Sequence, residues 1–371
     1  MGSGSVSNLM SDKLHSLSRD FDKLKLVGHL QVMPTTLADI ARALGVSKMT
    51  VSRAINNHPE ISPETRARIL DAAQRMNYRP NQFARALTTN RSYLLGVVVP
   101  DLMHSYFAEI CRGIESVAKP LGYQNLICST DEDAANEESE IEALLPRTDG
   151  LILASSASPG ETKFFRRIIR ERARLVLIDR QLEGVKCPMV TTDDVKVGAL
   201  ATEHLLSLGH RRVGHLKGTL ASTGTLRFEG YRKALAKRGV PFDPELVKEC
   251  GFTERDGYEA TRDWLRDGDL PPAIFAANDP AAIGAMSAIT EAGLRLPEDI
   301  ALVGGGNIHY GDMLRVPLTT VAWSKPEMGH AAARLLIDLV EGKRGTREQH
   351  VIVEPELIVR ASCGATQMAL A

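Results

Sequence analysis

Residues 36–55 read TLADIARALGVSKMTVSRAI, the pattern of two short amphipathic helices joined by a glycine. Thr36 is a good N-cap for the first helix, and Asp39 stands three residues later at the acidic position of a capping box. Gly45 favours the positive φ of a tight turn, and Ser47 is placed to cap the second helix. The stretch therefore predicts a helix-turn-helix pair.

A third helix is predicted to begin at Ser62-Pro63, because proline is favoured at the first position of a helix. Three helices in this order can lay the second helix in the major groove of DNA, although a generic three-helix bundle shows the same order. The outward face of the second helix favours DNA, since its two cations and other polar groups suit phosphates and base edges. This face consists of Lys48, Met49, Ser52, Arg53 and Asn56.

Charge is distributed unevenly along the chain. The 371 residues carry a net charge of -1, but residues 34–91 hold nine basic and four acidic residues. Residues 92–371 hold 32 basic and 39 acidic residues. A basic module ahead of an acidic body indicates a polyanionic partner such as nucleic acid.

Beyond Tyr93 the pattern changes to short apolar runs that alternate with helical stretches. The runs include Leu94–Val99, Gln124–Cys128, Leu151–Ala154, Leu175–Ile178, Arg212–Leu216, Ala273–Ala277 and Ile300–Val303. Alternation of buried strands with helices is typical of parallel sheets covered on both faces. About ten strands are too many for one sheet, so the sequence predicts a small all-α unit followed by two doubly wound α/β subdomains. A ligand is expected in the crevice beyond the carboxyl ends of their strands.

Several other classes of site find no support in the sequence. There is no phosphate loop and no dinucleotide fingerprint, so no cofactor is expected and an enzyme is disfavoured. The five cysteines form no C-x-x-C pair, and no metal-ligand spacing is present. No apolar run reaches the roughly 18 residues of a membrane span. Charged residues interrupt positions 13–30 where a signal peptide would lie, so we expect a cytoplasmic protein.

The order of short motifs is the most specific indication of function. They include Leu37-Ala38-Asp39-Ile40-Ala41, Gly45-Val46-Ser47, Thr50-Val51-Ser52-Arg53, Asn77-Tyr78-Arg79-Pro80-Asn81, Asp149-Gly150-Leu151-Ile152-Leu153, Leu208-Gly209-His210 and Pro317-Leu318-Thr319-Thr320-Val321. Together they closely resemble the LacI/GalR family of bacterial transcriptional regulators over about residues 35–361.

The resemblance implies an architecture for the whole chain. Residues 1–34 would be a disordered extension or tag, 35–80 the DNA-binding domain, 81–91 a hinge helix, 92–363 an effector-binding and dimerisation domain, and 364–371 a tail. The body would be built like a periplasmic sugar-binding protein, with subdomains 92–190 plus 322–350 and 191–321 plus 351–363. The tail carries no heptad repeat, so a homodimer is expected.

The resemblance also implies which residues bind DNA. They are Thr36, Ser47, Lys48, Met49, Thr50, Ser52, Arg53, Asn56, Tyr78, Asn81, Arg85 and Leu87. Leu87 stands where the family inserts a leucine between central base pairs. The alternative is that Leu87 packs against the first strand of the body.

Positions of an effector site are carried over in the same way: Tyr106, Phe107, Ser155, Asp179, Arg227, Phe252, Asn278, Asp279 and Asn307. Asp179 is expected to offer an unpaired carboxylate to a hydroxylated or cationic ligand. Two alternatives stay open, since Tyr106 and Phe107 also fit a core and Asp279 also fits a helix cap. Gly306 stands where the family usually has an acid, and Asn307 is expected to replace its hydrogen bonding.

The function implied is a sequence-specific DNA-binding transcriptional regulator, a repressor, that binds operator DNA as a homodimer. A sugar, sugar acid or related metabolite between the two subdomains would control it. The sequence does not distinguish an inducer from a corepressor. A plain solute-binding protein is the alternative, and it would lack the basic amino-terminal module.

Overall fold

The computed structural model describes residues 35–55, 57–79, 86, 89, 91–103, 105–158, 160–343, 345–346 and 349–365. Residues 1–85 belong to one compact unit and residues 86–371 to a second. We call them the amino-terminal unit and the body.

Three helices form the described part of the amino-terminal unit: α1 (Leu37–Leu44), α2 (Lys48–Ile55) and α3 (Pro63–Arg75). The predicted capping box is confirmed, because the Thr36 hydroxyl accepts the Asp39 N–H and the Asp39 carboxylate accepts the Thr36 N–H. Gly45 ends α1 with a φ of 66°. Ser62 caps α3 ahead of Pro63, as predicted. Local sequence signals therefore set all these helix boundaries.

Apolar side chains on the inner faces hold the three helices together. Ile40, Val51 and Ile69, one from each helix, are buried in a common cluster. Complete burial of such a side chain contributes about 1.5–3 kcal/mol. Because Val51 and Ala54 point inward, the opposite face of α2 is turned to solvent.

The first lobe of the body contains six parallel strands: β1 (Leu94–Val99), β2 (Gln124–Ser129), β3 (Gly150–Leu153), β4 (Leu175–Ile178), β5 (Met189–Thr192) and β11 (His350–Val353). Their order is β11-β5-β4-β3-β1-β2. The accompanying helices are α4 (Ser105–Ala118), α5 (Ala134–Leu144), α6 (Lys163–Arg170) and α11 (Lys325–Glu341), with a 3₁₀ turn at Lys119–Leu121. Val97 and Val98 lie in different core clusters, so both faces of this sheet are covered.

The second lobe repeats this plan with β6 (Val213–Lys217), β7 (Val247–Glu249), β8 (Ala273–Ala276), β9 (Ala301–Gly305), β10 (Thr319–Ala322) and β12 (Glu356–Ile358). Their order is β12-β10-β9-β8-β6-β7, and β12 alone runs antiparallel to its neighbour among these described strands. The helices are α7 (Asp194–Ser207), α8 (Ser222–Lys237), α9 (Glu254–Asp267) and α10 (Asp279–Glu291), with a 3₁₀ turn at Pro244–Leu246. The predicted class, an all-α unit followed by two doubly wound sheets, is confirmed apart from this edge strand.

Within the described residues the chain passes between the lobes three times: between β5 and α7, between β10 and α11, and between β11 and β12. The sequence placed two of these boundaries at 190/191 and 350/351. Both positions fall inside strands of the first sheet, because β5 pairs with β11 from Met189↔His350 to Thr192↔Val353. The lobes therefore exchange chain at residue 193, at 323–324 and at 354–355.

Helices α7 and α8 approach each other closely, and this approach positions part of the site described below. A Cβ atom added at Gly198 would lie 2.0 Å from the Arg227 carbonyl oxygen, and one at Gly230 would lie 2.0 Å from the Val195 carbonyl oxygen. A side chain at either glycine would push the helices apart. The two glycines thus bring Arg227 on α8 within reach of the start of α7.

Candidate functional site

The outward face of α2 is an exposed polar surface. Lys48, Met49 and Arg53 are exposed, and Ser52 is half-buried. Arg53 is not free in this structure, because its Nη1 lies 2.6 Å from a carboxylate oxygen of Glu60. Both partners are substantially exposed, so the pair adds little stability and opens at low cost. The face can therefore present its cations to a polyanion.

The other predicted DNA-binding residues divide into local caps, a packed tyrosine and residues that the structure does not describe. Thr36 caps α1, and the Ser47 Oγ accepts the Thr50 N–H at 3.0 Å at the start of α2. Tyr78 packs against the helical core, and partial burial raises the pKa of its hydroxyl. Four predicted residues lie outside the described residues: Asn56, Asn81, Arg85 and Leu87.

A cavity opens in the body between the two lobes, beyond the carboxyl ends of their strands. Its volume with the open mouth is about 620 Å³. It is lined by Asp101, Tyr106, Phe107, Glu132, Asp179, Arg180, Thr223, Arg227, Phe252, Asn278, Asp279, Pro280, Gly305, Gly306, Ile308 and Trp323. Seven of the nine predicted effector positions line it, and Ser155 and Asn307 do not.

The first-lobe wall is built around Tyr106 and Asp179. The Tyr106 hydroxyl donates to Asp179 Oδ1, and Trp323 Nε1 donates to the Tyr106 hydroxyl at 3.1 Å. Burial, together with the Asp179 carboxylate, raises the pKa of Tyr106 well above its ordinary value, so the hydroxyl stays protonated. The expectation of an unpaired carboxylate was wrong, because the Asp179 carboxylate accepts this hydrogen bond from Tyr106. The two residues are 73 positions apart in sequence, so no local pattern indicated the pair.

Arg180 is a cavity residue that sequence reasoning missed. Its two terminal nitrogens hold both carboxylate oxygens of Glu132, at 2.5 and 2.7 Å. Its guanidinium also lies 5.3 Å from the ring centroid of Phe252, a second-lobe residue. A charged dipeptide directly after a buried strand was the available signal, but Glu132 is 48 residues distant and could not be identified as its partner.

The second-lobe wall holds a buried ion pair. Arg227 Nε donates to Asp194 Oδ1 at 2.8 Å, and Arg227 Nη1 donates to the Ala277 carbonyl at 2.8 Å. The guanidinium also lies 5.0 Å from the Trp323 ring centroid. Burial raises the pKa of Asp194 to about 7, although Arg227 favours its charged form. Among the described residues no hydrogen-bond partner of Arg227 Nη2 is found, so this nitrogen is available to a ligand.

Asn278 and Asp279, two adjacent residues of the second-lobe wall, have different hydrogen-bond partners. Asn278, not Asp279, is the N-cap of α10, since its Oδ1 accepts the Ala281 N–H at 2.9 Å. The Asn278 amide also donates to the Phe252 carbonyl at 2.8 Å, which fixes the loop that carries the Phe252 ring. Asp279 is fully buried and accepts from the Thr320 hydroxyl and the Ile308 N–H. Burial raises the pKa of Asp279.

Ser155 and Asn307 lie near the cavity but have other partners. The Ser155 hydroxyl donates to the buried Glu137 carboxylate at 2.5 Å, which turns it away from the cleft. The Asn307 Oδ1 accepts from Arg360 Nη2 at 2.8 Å. The side-chain carbonyl oxygen of Asn307 is thus already engaged, and the residue does not line the cavity.

Direct contacts join the lobes across the cavity. Lys325 of α11 donates to the carbonyl oxygens of Gly306 and Asn307 at 2.8 and 2.6 Å. On the opposite side the Gln181 N–H donates to the Ser222 hydroxyl at 2.8 Å. Both contacts connect residues of different lobes and so link the two halves of the body directly.

No group of three or more His, Cys, Asp or Glu side chains suited to a metal occurs in the described part of the chain. Over the same residues, no helix has the length and apolar character needed to span a membrane.

Comparison with known proteins gives one consistent result. The family described as "Bacterial regulatory proteins, lacI family" matches residues 36–81, and the "Periplasmic binding protein-like domain" matches residues 202–363. The chain is 36% identical over 333 residues to the HTH-type transcriptional regulator DegA of Bacillus subtilis, covering 89% of this chain and 98% of DegA. It is 34% identical to the HTH-type transcriptional repressor PurR of Mannheimia succiniciproducens, covering 88% and 98%. The lac repressor dimer bound to operator and the anti-inducer ONPF aligns with a TM-score of 0.77 at 28% identity, covering 89% and 99%.

Proposed function

The chain belongs to the lacI family of bacterial regulatory proteins, and we propose that the cavity between its lobes binds a small hydroxylated metabolite that controls repression. As a member it is a DNA-binding transcriptional regulator that acts as a homodimer under the control of a small-molecule effector. The observation that carries the proposal is the cross-lobe cavity, in which aromatic rings stand beside partnered charges.

The proposed effector is electrically neutral and rich in hydroxyl groups, as a sugar is. Two cations of the wall already have counter-ions, Arg180 with Glu132 and Arg227 with Asp194. A neutral ligand adds no unpaired charge to such a wall. The Phe107 and Phe252 rings offer apolar faces, while Tyr106, Thr223 and Arg227 Nη2 offer hydrogen bonds to hydroxyls. A sugar acid is the second candidate, because Arg227 Nη2 would suit a carboxylate.

The proposed roles of the remaining segments follow the predicted boundaries. Residues 35–80 bind DNA, with Lys48, Met49 and Arg53 reading base edges, and residues 81–91 form the hinge, with Leu87 as its wedge. Residues 92–363 bind effector and dimerise. The activity is binding rather than catalysis, and the place of action is the cytoplasm, where chromosomal operators are found. Effector and operator affinities are linked, so each ligand changes the affinity for the other by the same factor.

Selection from random duplex DNA tests the DNA-binding half of the proposal. The expected product is a two-fold symmetric motif whose half-sites lie about 10 bp apart, one helical turn. An asymmetric motif, or enrichment without any motif, would contradict it.

A thermal-shift screen of matched neutral sugars and sugar acids tests the effector half, because a ligand of the folded state raises the melting temperature. The Tyr106→Phe variant should bind the neutral hit about tenfold to a hundredfold more weakly by calorimetry, since a hydrogen bond to a charged network is lost. Tyr258→Phe is the matched control, because Tyr258 donates to Glu291 at 2.6 Å outside the cavity. Equal affinity in both variants would contradict the cavity assignment. Operator binding with and without the hit then separates an inducer from a corepressor.

A further inference from the structure

The first lobe carries a cluster of exposed cations outside the effector cavity. They are Lys163, Arg166, Arg170, Arg172, Arg174 and Lys186, and we call this set the basic edge. They line two adjoining surface grooves that share Ile169 and Lys186. Within the described residues no ion pair to a carboxylate involves any of the six, whereas Arg167 on the same helix lies 2.7 Å from Glu142.

The pattern of α6 explains only part of this cluster. Phe164, Phe165 and Ile168 are buried against the sheet, so the intervening basic residues of the helix must face outward. An outward face of this kind is ordinarily just solvated. The cations continue beyond the helix, however, at Arg174 directly before β4 and at Lys186 before β5. Three separate segments thus bring positive charge to one surface.

The basic edge includes the amino ends of strands, where the chain also enters the body. Arg174 Nη1 donates to the Asp149 carbonyl at 3.2 Å. The Asp149 carboxylate in turn accepts the Ser92 N–H at 2.7 Å and the Tyr93 N–H at 2.9 Å. Since β4 is two strands from β1, the two lie about 10 Å apart. The chain therefore enters β1, at residues 91–93, beside this edge.

The chemistry of the surface favours a polyanion over a folded protein partner. Protein interfaces depend on central apolar or aromatic anchors. None of the large exposed apolar side chains of the described residues falls between positions 160 and 190. Arginine and lysine without such anchors are typical of contacts to phosphates, which need charge and no shape-specific pocket.

We propose that the basic edge binds the phosphate backbone of DNA flanking the operator. The amino-terminal unit reads the operator, and the first lobe adds sequence-independent contacts on either side of it. This proposal rests on the operator binding described above and adds a second DNA surface to it.

The test compares two duplexes by fluorescence anisotropy over a salt series. One contains the selected two-fold motif alone, and the other carries about 10 further base pairs on each side, one helical turn. Each additional phosphate contact steepens the plot of log K against log salt by about 0.9. With one additional contact per subunit, the ratio of the affinities for the longer and the shorter duplex should fall about tenfold between roughly 50 and 200 mM salt.

The full-length variant Arg170→Gln/Arg172→Gln/Lys186→Gln should bind the longer duplex no more tightly than the shorter one, and with the same salt dependence. It should bind the short duplex as the wild type does. The control Arg211→Gln/Arg238→Gln/Arg255→Gln removes the same charge from exposed positions of the second lobe and should behave as the wild type. Equal wild-type affinity and slope for the two duplexes would overturn the proposal, as would equal loss in both variants. Failure to bind even the short duplex would instead contradict operator binding itself.

Discussion

Arginines differ in their surroundings between the exposed face of α2 and the cavity between the lobes. Arg53 is exposed, and its carboxylate partner Glu60 is exposed as well. Arg227 is buried between Asp194, the Ala277 carbonyl and the Trp323 ring. Water solvates both Arg53 and Glu60. The buried charges of Arg227 and Asp194 are instead stabilised almost entirely by each other and by the protein groups around them. Removing the first arginine should therefore affect binding alone, and removing the second should affect folding as well.

The largest effect is expected from Arg227→Ala. The substitution leaves the Asp194 carboxyl buried without its partner, so the group must either stay charged or take up a proton, and loss of one member of a buried pair costs up to about 3–5 kcal/mol. Urea unfolding at pH 7 measures this loss. Arg238→Ala, at an exposed position on the same lobe, should change the free energy of unfolding by less than about 0.5 kcal/mol. Similar values for the two variants would show that the buried pair is not structural.

The next largest effect is expected in the pH dependence of the free energy of unfolding, through protonation of Asp194. Burial raises its pKa from 3.8 to about 7, so between these values the folded state binds more protons than the unfolded state. The contribution of the group is fully present below pH 3.8 and is lost as the pH rises through about 7. The expected slope is up to about 1.4 kcal/mol per pH unit. Wild-type and Asp194→Asn unfolding curves, measured across this range, should differ by that slope, and parallel pH profiles would contradict it.

Arg53→Ala should weaken operator binding by about 1–3 kcal/mol through the loss of a base contact, with the melting temperature unchanged. Binding to an unrelated duplex should fall much less, because phosphate contacts supply most of that affinity. Arg68→Ala removes an exposed cation of α3 and serves as the control. Loss of stability in the Arg53 variant would remove the contrast with Arg227.

The smallest effect is expected from Glu60→Gln. The substitution removes the carboxylate that holds Arg53 at 2.6 Å, and exposed pairs are worth about 0–1 kcal/mol. Operator affinity should rise by no more than about fivefold at low salt, and the gain should shrink as salt screens the pair. Glu64→Gln makes the same charge change at an acid of α3 without an ion pair in the described residues. An equal gain in both variants would assign the effect to net charge.

The contrast between the two regions also explains what could be predicted. Thr36, Gly45 and Ser62 act within a few residues of themselves, so their roles as caps and turn were evident in the sequence. Asp179, Arg180 and Arg227 find their partners 73, 48 and 33 residues away, and no local pattern reveals such pairs. Seven of the nine residues named from the resemblance line the cavity, but the resemblance could not indicate which of its charged groups already had partners.

Strand detection failed for a related reason. Apolar runs located the central strands β1, β3, β4 and β8, which are buried except for the first residue of β1. Among the edge strands β2 was located, but β7, β11 and β12 are short, only partly buried and contain polar residues, so hydrophobicity gave too weak a signal. Their pairing depends on neighbours that lie far away in sequence. The two subdomain boundaries were misplaced because they fell within β5 and β11, neither of which was among the apolar runs.

The strand order of the first lobe has a consequence for how the protein is made. Strand β1 begins at Leu94, but the edge strand β11 ends at Val353, so about 260 residues must be translated before this sheet is complete. At the usual 5–20 residues per second this takes roughly 13–50 s. The edge of β5, which ends at Thr192, stays uncovered while about the last 160 of these residues are made, and these residues include most of the second lobe. Neither lobe can therefore finish folding before the chain has been made as far as β11 and β12.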